Sequence, residues 1–380
     1  MALLATDCGT DLPFKIRAGV QQRYSDVYTP EAIEAIATLS HLAAKRSDLM
    51  TSRTARRLAR IANRQPIGFL DPDSRIAGTD ILVSDARAGR FVGSTIPADL
   101  QQQWIQGTGP AAKPSVPLEN SIRNVAYALL SGADGWMFDG EDALGQIDTM
   151  SLDNQRNLKL AIAKDPIFLK VAQEVADEMN RWASGFLGRE IISDWRKQLD
   201  STTKIFRARG MHLDDRHIQC KDGNGFPASI VDASLYVVNN YKNLIQAGSS
   251  LVLYLPKIQT AQEAAWWNEM ITALEQHLGL AVGTVKTYVL VEQLEAAYQL
   301  MEIRAALGLH FVGFNTGRWD YINAVSDAMC WDRSFINPNI DVITMTYGYM
   351  RNYEDRVRRA VNTPDLRGQC ALWQGGMEPN

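Results

Sequence analysis

Four groups of polar residues stand directly after short apolar runs in this 380-residue sequence, and their types are those of ion-assisted acid–base chemistry. GWMF (135–138) is followed by Asp139, Glu141 and Asp142, KIF (204–206) by Arg207 and Arg209, and TYVLV (287–291) by Glu292. HFVGFN (310–315) leads into a turn holding Gly317, Arg318, Trp319 and Asp320. Glu292 and Asp320 are separated by one helical stretch, so their strands are expected side by side at about 4.8 Å, near enough for both carboxylates to hold one ion. Hard oxygen donors without a neighbouring His or Cys favour Mg²⁺ over zinc, with water filling the remaining positions. The plainer alternatives are an acid in the first turn of the following helix for Glu292 and a structural turn residue for Asp320. Arg207, at a strand end, calls for an anion: an oxyanion or carboxylate of a substrate, or a salt bridge to Asp139 or Asp142. The backbone N–H groups around Gly317 in TGRWD suit a substrate carboxylate.

These groups can act together only if their strands align. The β-rich runs are FVGSTI (91–96), GWMF, KIFRA (204–208), LVLYLP (251–256), TYVLVE (287–292), HFVGFN, DVITM (341–345) and CALW (370–373). They are almost continuously apolar, as strands buried on both faces should be, and helical stretches such as 260–279 and 293–308 lie between them. Eight strands alternating with helices predict an α/β fold, a (β/α)₈ TIM barrel, with a doubly wound open sheet as the alternative. In a barrel the carboxyl ends of the strands converge on one mouth. The barrel is assigned to residues 89–380, including a Pro/Gly-rich surface loop at 107–120. Residues 1–88 are read as an N-terminal helical segment. There Thr29 caps, Pro30 suits the first helical position, and Ile33, Ile36, Leu39 and Leu42 recur at helical spacing. The basic stretch 52–66 continues helical and is read as a solvated face.

With 39 Lys and Arg against 43 Asp and Glu, the net charge of −4 gives no positive field to hold a phosphate backbone, so nucleic acid is not an expected partner. No apolar run is long enough for a membrane span, and MALLATDCGTDL lacks a basic segment leading a hydrophobic one, so a cytoplasmic location is expected. Cys8, Cys220, Cys330 and Cys370 lie far apart and are read as reduced. His212 and His217 are read as hydrogen-bonded structural residues, Trp266 and Trp267 as packing, and the Arg356, Arg358, Arg359 cluster as a helix face.

Several strings in order, TIPADL (95–100), MFDGEDA (137–143), RARGMHL (207–213), LPKIQTAQEAAWW (255–267), VLVE (289–292) and above all NTGRWDYI (315–322), resemble malate synthase in its shorter form, over nearly the whole sequence. The resemblance implies a Mg²⁺-dependent, Claisen-type condensation of acetyl-CoA, or another acyl-CoA, with glyoxylate or a related 2-oxo acid. It implies Glu292 and Asp320 as Mg²⁺ ligands and Arg207 as the arginine that stabilises enolate and alkoxide oxygens. Asp139, Glu141 and Asp142 correspond to acids near the metal, and the backbone of Gly317, Arg318 and Trp319 to the turn holding the glyoxylate carboxylate. The alternative is a lyase or aldolase cleaving a 3-hydroxy acid or its CoA thioester, like malyl-CoA lyase and citrate lyase-like barrels; a non-catalytic binder is the third reading. The family's catalytic aspartate lies in a C-terminal helical domain that the sequence, ending GGMEPN, is expected to lack. A missing base costs on the order of 10²–10⁴ in rate. A slow site, another acid, or an acid from a neighbouring subunit of a homo-oligomer all remain open. Where typical members read DFED, this sequence reads DGED, and Gly140 is expected to open room for a 2-oxo acid larger than glyoxylate.

Overall fold

The computed structural model describes residues 12–101, 106–109, 116–141 and 148–375. The chain divides into two compact units, one of residues 1–40, 97–209 and 213–253, the other of 41–96, 210–212 and 254–380.

In the first unit, strand Gly135–Asp139 pairs in parallel with Gln106–Thr108 on one side and Thr203–Arg207 on the other. The register sets Gly135 opposite Thr203 and Asp139 opposite Arg207. Helices Leu118–Leu129 and Pro166–Leu187 lie between these strands in sequence. The second has the start and stop chemistry that its sequence signals: Asp165 accepts from the Ile167 N–H at 2.9 Å, Pro166 takes the first turn, and Gly188 ends it at φ 69°. A separate antiparallel sheet joins Phe14–Ile16 to the hairpin Asp214–Cys220 and Gly225–Pro227. DDRHIQC is too polar to read as a strand; it forms one because Asp215, His217 and Ile218 turn inward while Asp214 and Arg216 face outward.

In the second unit, strand Val285–Val291 pairs in parallel with Phe311–Thr316, which pairs in parallel with Leu372–Gln374. The entry into Val285–Val291 is pinned by Glu275, fully buried, whose carboxylate accepts the N–H groups of Gly283 and Val285 at 2.9 and 2.7 Å and lies 2.9 Å from His310 Nε2. Trp266 and Trp267 of helix Ala261–His277 are wholly buried and meet edge to face, the packing role expected of them.

Four expectations fail here. DVITM is not a strand: residues Ile340–Val342 form a 3₁₀ turn with Val342 half exposed, because Asn337, Pro338 and Asn339 break the approach to it. FVGSTI forms no strand among the described residues. The loop assigned to 107–120 begins inside the strand Gln106–Thr108 and ends inside a helix. The long helix read from Thr29 onward is two, Pro30–Leu39 and Leu42–Asn63, with Ser40 and His41 between them.

Candidate active site

The seven residues of Val285–Val291 are all buried, and the strand delivers Glu292 at its carboxyl end. Its parallel neighbour sets Thr316 opposite Val291, so Gly317 begins helix Arg318–Ala328 beside Glu292. A Cβ on Gly317 would stand 3.0 Å from the Glu292 Cβ, so a glycine is what lets the two strand ends close together. Asp320 then falls in the first helical turn. Tyr353, wholly buried and stacked on Tyr321 at 4.0 Å, donates its hydroxyl to the Val291 carbonyl and fixes this strand end.

Glu292 and Asp320 share a single cation. Lys257 Nζ donates to Glu292 Oε2 at 2.9 Å and to Asp320 Oδ2 at 2.7 Å, and the Lys257 backbone N–H donates to Glu292 Oε1 at 2.6 Å. Glu292 is 0% exposed whereas the Asp320 side chain is 43% exposed, so the pair has one dry end and one wet end. Burial pushes the Glu292 carboxyl up to about 7; the Lys257 ammonium offsets this only in part, and Asp320 adds to it. Lys257 sits at φ 56°, a left-handed conformation that a branched or long side chain rarely adopts, and its carbonyl accepts from Arg53 Nη1 at 2.8 Å. Arg318 donates to the Ile343 carbonyl at 2.8 Å and lies 4.6 Å from the Trp319 ring, so these two side chains pair with each other. No side chain caps the helix that Gly317 opens.

In the other unit Arg207 and Asp139 face each other across paired strands. Arg207 Nε donates to Asp139 Oδ1 at 2.7 Å and Nη2 to Oδ2, a two-pronged ion pair whose residues are only 7% and 2% exposed. The Glu141 N–H donates to Asp139 Oδ1 at 2.9 Å, which turns the chain back under the pair. Asp142 lies outside the described residues. Gly140 does not open space: its N–H donates to the Arg207 carbonyl at 2.8 Å, and an added Cβ would meet that oxygen at 2.7 Å. The room that a side chain would need is taken by backbone, so the expectation of a widened site at this residue is corrected. Arg209 is engaged by Asp215 and Asp232 and is wholly buried.

Two residues escaped the sequence reading. Lys257 follows the strand Leu251–Leu255, as the acids follow theirs, and the same strand-end signal would have found it. Arg53 belongs to the basic helix read as a solvated face. That reading holds for Arg57, whereas Arg60 is 8% exposed and pairs with Glu295 at 2.8 Å, and Arg53 reaches both Lys257 and Gln293. His217 Nε2 lies 3.1 Å from the Asp148 carbonyl, and Arg356 packs over Tyr298 at 3.9 Å. Among the described residues Cys220, Cys330 and Cys370 form no disulfide, and the Cys220 thiol donates to the Gly225 carbonyl at 3.7 Å.

Residues 203–380 match the family described as malate synthase, TIM barrel domain. Over these residues the chain carries a malate synthase TIM barrel domain. The α/β barrel that the strand and helix alternation predicts is therefore its fold class, and the open-sheet alternative falls. Malate synthase of Streptomyces clavuligerus is 29% identical over 366 residues, 96% of this chain and 60% of that protein. Malate synthase A of Escherichia coli K12 is 29% identical over 97% of this chain and 60% of its own length. The bifunctional glyoxylate cycle protein of Caenorhabditis elegans is 33% identical over 87% of this chain and 31% of its own. The chain thus spans about 60% of the length of the malate synthases it matches. Among solved structures, a Haloferax volcanii malate synthase in complex with pyruvate and acetyl-CoA is similar at TM-score 0.39 and 12% identity, covering 73% of this chain and 60% of that one.

Proposed function

We propose that the chain carries the metal- and enolate-binding part of a malate synthase-type enzyme, condensing acetyl-CoA or another acyl-CoA with glyoxylate or a related 2-oxo acid, on a barrel of residues 89–380. The observation that carries this reading is the convergence of Glu292 and Asp320 on one cation position. Among the described residues no three His, Cys, Asp or Glu side chains gather into a metal cluster. The site fits Mg²⁺ nonetheless, because two hard carboxylates already share one cation and Mg²⁺ keeps several of its waters. Mg²⁺, when bound by Glu292 and Asp320, supplies a Lewis acid that polarises the carbonyl of the 2-oxo acid.

The chain's own groups bind and orient the reactants. The N-terminus of helix Arg318–Ala328, which no side chain caps, presents the backbone N–H groups of Arg318 and Trp319 and a favourable dipole to the acid's carboxylate, while Gly317, whose own N–H goes to the Val291 carbonyl at 3.4 Å, lets the turn close. Arg207 carries a fixed positive charge for the oxygen of the enolate formed when a general base takes a proton from the acyl-CoA methyl group. Asp139 holds that guanidinium by Nε and Nη2, which sets its plane, and Glu141 in turn orients Asp139 through its backbone N–H. Hydrolysis of the resulting thioester releases free CoA thiol and makes the condensation irreversible. The test is thiol release on mixing the protein with acetyl-CoA, glyoxylate and Mg²⁺. Release that requires all three supports the reading, and none with any small 2-oxo acid overturns it.

A further inference from the structure

We propose that Lys257 is the resident counter-ion of the Glu292 and Asp320 carboxylates, a positioning residue whose ammonium a divalent cation must displace. This rests on the reading of that pair as the metal site. Lys257 Nζ is within hydrogen-bond reach of both acids, 2.9 and 2.7 Å, which is where an ion shared by them would lie. Mg²⁺ binds oxygens at about 2.0–2.1 Å and keeps tight octahedral geometry, so it and a protonated amine cannot occupy that position together. A divalent ion, unlike one ammonium, matches the charge of both carboxylates once they are ionised.

Departure of the ammonium need not move the chain. The Lys257 N–H is held by Glu292 Oε1 and its carbonyl by Arg53, so the backbone is anchored at both ends of the residue independently of the side chain. The left-handed φ of 56° shows the anchoring at work, since such a conformation persists only where neighbours impose it. A flexible four-carbon stem can then swing the charge out by rotation alone. Arg53 thereby becomes a positioning residue for the metal site, although it touches neither acid.

The test is Mg²⁺ binding by calorimetry to the full chain and to Lys257→Met, with the thermal midpoint of each in the absence of metal. Removing the competitor is expected to tighten Mg²⁺ binding roughly tenfold or more, while lowering the metal-free midpoint and enlarging the rise that Mg²⁺ produces. A second measurement needs no variant: acetic anhydride labelling read by mass spectrometry, in which Lys257 is expected to be protected without metal and modified with it. Unchanged or weaker Mg²⁺ binding in Lys257→Met, or labelling of Lys257 that ignores Mg²⁺, would overturn the exchange while leaving the metal reading intact. Absence of Mg²⁺ binding to both proteins overturns the metal reading itself.

Discussion

Two clusters in this protein have the same composition, one cation between two carboxylates, and opposite characters. Arg209 is held by Asp232 through Nε and Nη2 at 2.9 and 2.7 Å and by Asp215 at 2.6 Å, and the acids are further satisfied by the N–H groups of Arg209, His217 and Ile218. Burial works against the Arg209 charge, yet the two carboxylates hold its pKa above the ordinary value. Lys257 has a single point of charge to divide between Glu292 and Asp320, one acid is solvated, and Glu292 is pushed up instead. The guanidinium fork and backbone donors make the first cluster a closed structural knot. The second has one wet acid and one flexible point charge, the looser arrangement that the proposed ion exchange requires.

The comparison breaks most visibly in activity. Glu292→Gln or Asp320→Asn is expected to lower kcat/KM for the proposed condensation by on the order of 10²-fold or more, with Arg209 intact and the fold retained, measured by thiol release and circular dichroism. Arg209→Met should instead act on stability: stranding two buried carboxylates costs about 3–5 kcal/mol, read from urea unfolding. An unfolding midpoint unchanged in Arg209→Met would remove the structural role assigned to that cluster.

The pH dependence of the metal-free protein sharpens the contrast. Glu292 is raised from 4.5 to about 7, so the folded state holds a proton that the unfolded state has released in that interval. Stability contributed by this group is therefore full below about 4.5 and is lost as the pH rises to about 7. Glu292→Gln should flatten that segment of a stability–pH curve, and Mg²⁺ binding should tighten over the same range as the carboxylate ionises. The smallest effect is expected at the exposed pair Lys45 and Glu269, where Lys45→Ala should change stability by under about 1 kcal/mol.

How much of this was legible in the sequence depends on whether a residue's partner lies close in chain or pattern. The strands leading to Asp139, Arg207 and Glu292 were readable because short, mostly apolar runs closed by a charged residue have few other uses. The pairing of Arg207 with Asp139 was anticipated as a salt bridge and follows from parallel register. The Lys257 bridge was not, because its meaning comes from two acids 35 and 63 residues away and from a backbone angle that composition does not encode. Arg60 was lost for the opposite reason: a run of arginines reads as solvated until a buried Glu295 is found opposite one of them. DVITM misled by propensity, with β-branched residues placed where a Pro-Asn approach forbids pairing.

The contact between Gly140 and the Arg207 carbonyl carries a consequence for engineering. Position 140 lies beside the Asp139 that orients the arginine, so it invites substitution by anyone wishing to restore the DFED string or retune the acceptor. Any side chain there must first displace the backbone oxygen of Arg207, the residue proposed to meet the enolate. A library at 140 would thus select for tolerance of a shifted arginine rather than for a new acceptor, and changes of acceptor are better sought at the exposed Trp319.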